Sequence, residues 1–185
     1  ASLLSIPLVF LLYDYTNSRI NSQMKKHMAN SVGDKLNDLM INLILLLREM
    51  LSVRGRPTTE NINRMLSWRA SDIAKRLNIT SNRIDKMHTY HNDLDTLLYR
   101  NSQTDVLTSE QLQILSSLAR AMTHFINENK FHKNRHISAK YMESITTKIL
   151  DWLDLDSVAA LNISKHLSGI PTDVQKDKDK RNDKK

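Results

Sequence analysis

The amino-acid sequence predicts an all-α protein, a bundle of about five to six helices with an apolar helix at its N-terminus. Only three glycines and three prolines occur in 185 residues, so there is little turn chemistry for β-hairpins. Apolar residues recur at intervals of three and four, the period of a helix face, whereas the alternating patterns of strands are scarce. A chain of this length can bury one good core, and no second domain is required.

The first predicted element contains an apolar run at residues 3–13. This run is shorter than the roughly 20 residues of a complete membrane span. A signal peptide requires positively charged residues before its apolar run, and no lysine or arginine precedes this one. Two interpretations remain open. The run is the outer end of a transmembrane helix whose beginning lies before this chain, or it starts a buried helix that tolerates Pro7 in its first turn. Under both interpretations residues 1–32 form an N-terminal helix.

The next element is predicted to be the most buried helix. Gly33 and Asp34 indicate a break followed by an N-cap, and a helix is expected over 35–53. Its apolar stripe is broad, which is typical of a helix that faces the core. The stripe consists of Leu36, Leu39, Met40, Leu43, Ile44, Leu47, Met50 and Leu51.

A turn is predicted at residues 54–57, because Pro57 cannot continue the preceding helix without the loss of a hydrogen bond. Thr58 or Thr59 is a suitable cap for a helix that we expect to run without interruption to Leu77. Further helices are predicted over 81–100, 109–129, 138–153 and 156–167, with a basic loop at 130–136.

The chain is strongly basic. Its formal net charge is +7 at pH 7, which permits contact with nucleic acid or anionic lipid. Part of the excess lies in residues 169–185, a tail of mixed charge that is predicted to be flexible because it cannot bury a core. The bundle is assigned to residues 33–168, since Gly169 and Pro171 end the helical pattern.

Several kinds of chemistry are disfavoured. There is no cysteine, which removes disulfides and thiol catalysis, and the sequence has neither a glycine-rich phosphate loop nor a nucleophile elbow. His88 and His91 are three residues apart and Asp95 follows, but a fourth ligand is lacking and the spacing defines no metal site. We therefore expect a protein that is not an enzyme and carries no metal or cofactor.

Arginines concentrate around the turn after the buried helix, where the planar guanidinium would suit carboxylate, nitrate or phosphate oxygens. The residues concerned are Arg48, Arg54, Arg56 and Arg69. Arg54 and Arg56 would supply the charge of a small-anion site, next to the N-terminus of the following helix. Arg69 would face them as a donor, and Asp72 would orient the site as an acceptor. The open alternative is a surface turn whose arginines pair with neighbouring carboxylates.

The same region carries two short motifs: Val53-Arg54-Gly55 after an apolar helix, and Arg69 followed three residues later by Asp72. With them the run LREMLSVRGRPTTENINRMLSWRASDIAK resembles the ligand-sensing region of nitrate/nitrite-sensing (NIT-like) bacterial membrane receptors. In that family the first motif resembles Glu-Arg-Gly, so Val53 stands here in place of an acidic residue. The upstream run IPLVFLLYDYTNSRINS is similar to a first membrane span that leaves the bilayer.

The resemblance implies a membrane-anchored helical region outside the cytoplasm that feeds a signalling output. We therefore expect a non-catalytic sensor region that binds a small anion or a protein partner and forms a homo-oligomer. Binding at the turn would shift neighbouring helices by about 1–2 Å, which is enough to bias an attached output domain.

Two other functions remain open. Residues 71–87 fit a helix-turn-helix, in which Thr80 would cap a recognition helix. The DNA-reading residues would be Ser81, Asn82, Arg83 and Lys86. A DNA reader requires a break near Ala70, whereas the helix from Thr59 is expected to be continuous. The third possibility is a structural helical subunit of a larger assembly, with the apolar N-terminus as an interface. A cytoplasmic location is the alternative to the membrane-anchored one.

Overall fold

The longest helix of the protein carries the apolar stripe against which other helices pack. The computed structural model describes residues 5–104, 106–155 and 157–169, and every regular element within them is helical, which confirms the all-α class. Seven α-helices and one π-helical segment are present there, somewhat more than the sequence predicts. They are α1 (Ser5–Met50), α2 (Thr59–Leu66), α3 (Ala70–Arg76), α4 (Ser81–Thr104), α5 (Ser109–Asn127), the π-helical segment (Glu128–His132), α6 (Arg135–Leu155) and α7 (Ser157–Ser168).

α1 runs without interruption from Ser5 to Met50, so the break predicted at Gly33 and Asp34 is wrong. A glycine inside a helix costs roughly 0.5–1 kcal/mol relative to alanine, and burial of the stripe that follows offsets this cost. From Val32 onward the apolar face of α1 is packed into the core, as predicted. Its most deeply buried side chains, each at most 1% exposed, are Leu36, Met40, Leu43, Ile44, Leu47 and Met50.

The structure describes only part of the predicted apolar run at residues 3–13. Residues 3 and 4 lie outside the described residues, and for 5–13 only the helical backbone is described. Most of the predicted tail, residues 170–185, also lies outside the described part. None of the helices in the described ranges has a stretch with the length and hydropathy of a membrane span.

The segment after the turn is two helices instead of one. Thr58 caps α2, as predicted: its hydroxyl accepts a hydrogen bond from the Asn61 amide at 3.3 Å. The predicted continuous helix to Leu77 is wrong, because α2 ends at Leu66 and α3 begins only at Ala70. The apolar spacing gives no sign of this break, since buried side chains continue on both sides of it.

The remaining helices enclose the core. α5 packs between α4 and α6, α1 packs against α4 and α7, and the short helices α2 and α3 pack against α6. A capping box fixes the start of α5, where Thr108 accepts a hydrogen bond from the Gln111 amide and the Gln111 side chain accepts one from Thr108. The short helices α2 and α3 thus join the core mainly by packing on α6.

The connection between α5 and α6 differs from the predicted basic loop at 130–136. α5 passes directly into a π-helical turn, Glu128–His132, which ends at Lys133 with a left-handed backbone (φ 56°). Buried polar side chains hold this turn: a Glu128 carboxylate oxygen accepts a hydrogen bond from the Asn134 amide at 3.0 Å. Residues that the sequence assigned to solvent are therefore part of an ordered structure.

Candidate anion-binding site

The turn between α1 and α2 is tightly constrained. Ser52 and Gly55 both have positive φ angles, 53° and 95°, and glycine is the residue that adopts such a conformation without steric cost. The Val53 amide donates to the Arg48 carbonyl at 2.9 Å, and the Asn78 amide donates to the Met50 carbonyl at 2.7 Å. Hydrogen bonds from two directions therefore fix the end of α1.

Arg48 lies behind this turn and is 8% exposed. Its Nη2 donates to the Gly55 carbonyl at 2.6 Å, whereas its Nη1 is buried and has no hydrogen-bond partner among the described residues. Burial lowers the pKa of the guanidinium below its usual value, because desolvation penalises the charged form. Arg48 thus secures the turn while one of its nitrogens remains without an acceptor.

A cleft of about 550 Å³ lies on the outer side of the turn. Its lining residues are Ser52, Val53, Arg54, Arg64, Trp68 and Arg76. Three of these are arginines and none is acidic, so the lining carries an uncompensated positive charge. The Arg76 guanidinium lies 4.7 Å from the ring centroid of Trp68, and Arg64 Nη2 donates to Asn61 Oδ1 at 3.0 Å. These contacts orient two of the three cations.

Besides Arg48, four residues were predicted to form the anion site, and only one of them, Arg54, lines this cleft. Arg56 is exposed on the turn but does not line the cleft. Arg69 is exposed at the start of α3 and pairs with Glu143 of α6 at 3.5 Å. Asp72 pairs with Lys75 at 3.4 Å and does not line the cleft.

Sequence reasoning missed Arg64, Trp68 and Arg76 as members of the cleft. Arg64 and Trp68 are four residues apart, a spacing that could have placed them on one face. Arg76 could not be found in this way, because its position depends on the break between α2 and α3 and on the stacking of its side chain over Trp68.

The four residues of the DNA-binding alternative lie at the start of α4. Ser81 and Asn82 are exposed. Arg83 and Lys86 lie near the carboxylate of Glu49, at 4.0 and 3.8 Å, and Arg83 also donates to the Asn78 carbonyl at 2.9 Å. The end of α1 therefore engages two of the four.

The histidines at 88 and 91 have separate partners. His91 Nδ1 lies 3.3 Å from Asp95, and its Nε2 lies 2.7 Å from the Thr123 hydroxyl. His88 Nδ1 lies 3.3 Å from the Asn92 amide. Across the described ranges, no group of three or more potential ligands is arranged to hold a metal ion.

Comparison of the chain with models of known protein families, with curated proteins and with solved structures gave no match. The geometry of the described residues is therefore what bears on the function of this chain.

Proposed function

We propose that this chain is a non-catalytic binding region whose cationic cleft beside the α1–α2 turn takes a small oxyanion or a carboxylate. The observation that carries this proposal is the cleft lining, in which Arg54, Arg64 and Arg76 are accompanied by no acidic residue. Like charges in one cleft repel each other, and an anion between them would remove the repulsion. The planar guanidinium fork suits nitrate, phosphate and carboxylate oxygens.

Binding at this cleft would act on the turn, which is the proposed route to a response. Arg54 belongs to the same turn as Gly55, whose carbonyl accepts the hydrogen bond from the buried Arg48. A buried polar group without a partner costs free energy. A rearrangement that gives Nη1 of Arg48 an acceptor would therefore be favourable. An anion that draws Arg54 outward would shift this turn and, through Arg48, the end of α1. Displacements of about 1–2 Å are sufficient for helix-borne signals.

The proposed setting is the sensor region of a membrane-anchored bacterial signalling protein, as the NIT-like resemblance implies. The position of Arg54 in the cleft supports this setting for the first motif. The second motif contributes less, since Arg69 and Asp72 form ion pairs with Glu143 and Lys75 outside the cleft. The location outside the cytoplasm, the signalling output and the homo-oligomer belong to the same proposal.

Arg54→Ala should weaken the binding of inorganic phosphate and of nitrate by about tenfold, or about 1.4 kcal/mol, because one of three cleft cations is lost. Isothermal titration calorimetry with each anion measures this change. Trp68 gives a second readout, because the chain has only two tryptophans. The other, Trp152, is buried and its Nε1 has no hydrogen-bond partner in the described part of the chain, so Trp152→Phe provides a suitable background for Trp68 fluorescence.

Arg120→Ala is the matched control for this test, because it removes the same charge from an exposed position on α5 that does not line the cleft. It should leave anion affinity unchanged. Both variants should keep their stability, since surface substitutions usually change it by less than about 0.5 kcal/mol. Unchanged affinity in Arg54→Ala would refute the site, and a joint loss of affinity and stability would give Arg54 a structural role instead.

A second candidate function is DNA binding through residues 71–87, and one observation favours it. α2 ends at Leu66 and α3 begins at Ala70, so the break that a helix-turn-helix requires is present. The contacts of Arg83 and Lys86 with Glu49 count against it. A gel shift with duplex DNA over a range of salt concentrations decides the matter, because phosphate contacts weaken steeply with salt. The absence of a retarded band at about 50 mM salt would exclude this candidate.

A further inference from the structure

A second groove, which we call the end groove, lies where the α3–α4 connection meets the π-helical segment. Its volume is about 850 Å³. Buried Leu77 and Ile84 and half-buried Ile79 give it an aliphatic floor. Its charged lining residues are Arg76, Lys130, Lys133, Arg135 and a single carboxylate, Asp85. The groove therefore combines apolar side chains with an excess of positive charge.

The lysines of the end groove are available to a ligand. Lys130 and Lys133 are exposed, and neither ammonium group has an ion pair or hydrogen bond among the described residues. Arg135 has a structural role instead: its guanidinium donates to the backbone carbonyls of Ala74 and Lys75 at the end of α3. Arg135 thereby joins the two walls of the groove, while the lysines carry its unpaired charge.

The wall that presents the lysines is ordered before any partner arrives. Asn129 is buried; its Nδ2 donates to the Phe125 carbonyl at 2.7 Å and its Oδ1 accepts from the Ser138 hydroxyl at 3.0 Å. The Lys133 amide donates to the Glu128 carbonyl at 2.7 Å. π-helical turns occur frequently at functional sites, and a preordered surface loses less entropy on binding.

We infer that the end groove binds an acidic polypeptide segment of a partner protein, with carboxylates on Lys130 and Lys133 and an apolar side chain on the aliphatic floor. A nucleic acid fits less well, because its bases stack on aromatic side chains and no aromatic residue lines the groove. A second copy of this chain would bring its own net charge of +7 to this positively charged groove, which disfavours it as the occupant of the groove itself. This inference goes beyond the anion-binding proposal and does not rest on it.

The test measures the binding of a short fluorescein-labelled peptide, in which glutamates surround a pair of leucines, by fluorescence anisotropy. Lys130→Glu/Lys133→Glu should weaken binding by at least about tenfold, because attraction becomes repulsion at both positions. The matched control is Lys26→Glu/Lys165→Glu, which makes the same change of charge at exposed positions on α1 and α7 outside the groove. This control should bind the peptide several-fold more tightly than the groove variant.

Five comparisons make the outcome decisive. Replacement of the peptide leucines by glycine should weaken binding, because the aliphatic floor loses its contact. Equal losses in the groove variant and in the control variant would overturn the inference, since only net charge would matter. Tighter binding of oligothymidine than of the peptide would also overturn it and would make the groove a nucleic-acid site. Arg54→Ala should leave peptide binding unchanged, which separates this inference from the anion cleft. Lys130→Gln/Lys133→Gln should give an intermediate loss, even if the glutamate variant folds poorly.

Discussion

Replacement of Phe125 by alanine should lower the free energy of unfolding by about 3–5 kcal/mol. Phe125 is 0% exposed and belongs to α5, which packs between α4 and α6. Truncation removes a large apolar side chain and leaves a cavity that close-packed helices cannot fill without breaking other contacts. Urea denaturation followed by circular dichroism at 222 nm, a standard helix signal, measures the loss as a lower midpoint with an unchanged slope.

Phe131 offers a control of identical chemistry six positions further along the chain. It is 74% exposed on the π-helical segment, so Phe131→Ala should change the unfolding free energy by no more than about 0.5 kcal/mol. Similar losses in both variants would contradict the burial of Phe125 or the exposure of Phe131. The comparison also separates cavity formation from any general effect of removing an aromatic ring.

These two phenylalanines show which parts of the fold the sequence could predict. The three-and-four spacing of α5 predicts that Phe125 faces inward, because a helix repeats every 3.6 residues, and the structure confirms it. No local pattern indicates that the helix passes into a π-helical turn before Phe131. That turn depends on burial of Glu128 and Asn129 against the start of α6, which is a tertiary effect.

The predicted helix boundaries were wrong in two opposite ways, for related reasons. Gly33 is a strong local signal for a break, yet burial of the stripe from Val32 onward keeps α1 continuous. Between Leu66 and Ala70 the local signal is weak, because the apolar spacing continues, yet the chain breaks. In both places packing against other helices overrides the intrinsic preference of the residues concerned.

The candidate site could be predicted from the sequence only in part, because packing between helices also determines which residues line it. Arg54 adjoins Gly55 and Pro57, so its place on a turn follows from local sequence. Arg76 joins it only because the α2–α3 break redirects the chain. Arg64 lies on α2 before that break, four residues from Trp68, a spacing that could have placed both on one face. Asp72 lies on α3, where it pairs with Lys75 three residues away, and it does not line the cleft.

Asn129→Ala is expected to lower the free energy of unfolding by about 2 kcal/mol, because an unpaired buried polar group costs about 1–3 kcal/mol. The substitution would leave the hydroxyl of Ser138, which is 0% exposed, without the acceptor that it has at 3.0 Å. Urea denaturation again provides the measurement. Asn127→Ala, two residues earlier and exposed, should have an effect below about 0.5 kcal/mol.

A double-mutant cycle with Ser138→Ala identifies the cause of this loss. Once Asn129 is alanine, removal of the Ser138 hydroxyl should cost little or restore stability, so the two losses should differ from their sum by about 0.5–3 kcal/mol. Strict additivity would contradict a direct Asn129–Ser138 interaction. Because Asn129 lines the end groove and not the arginine cleft, Asn129→Ala should weaken binding of the acidic peptide and leave phosphate binding unchanged. The buried hydrogen bonds of Asn129 therefore hold the segment from which the exposed lysines project.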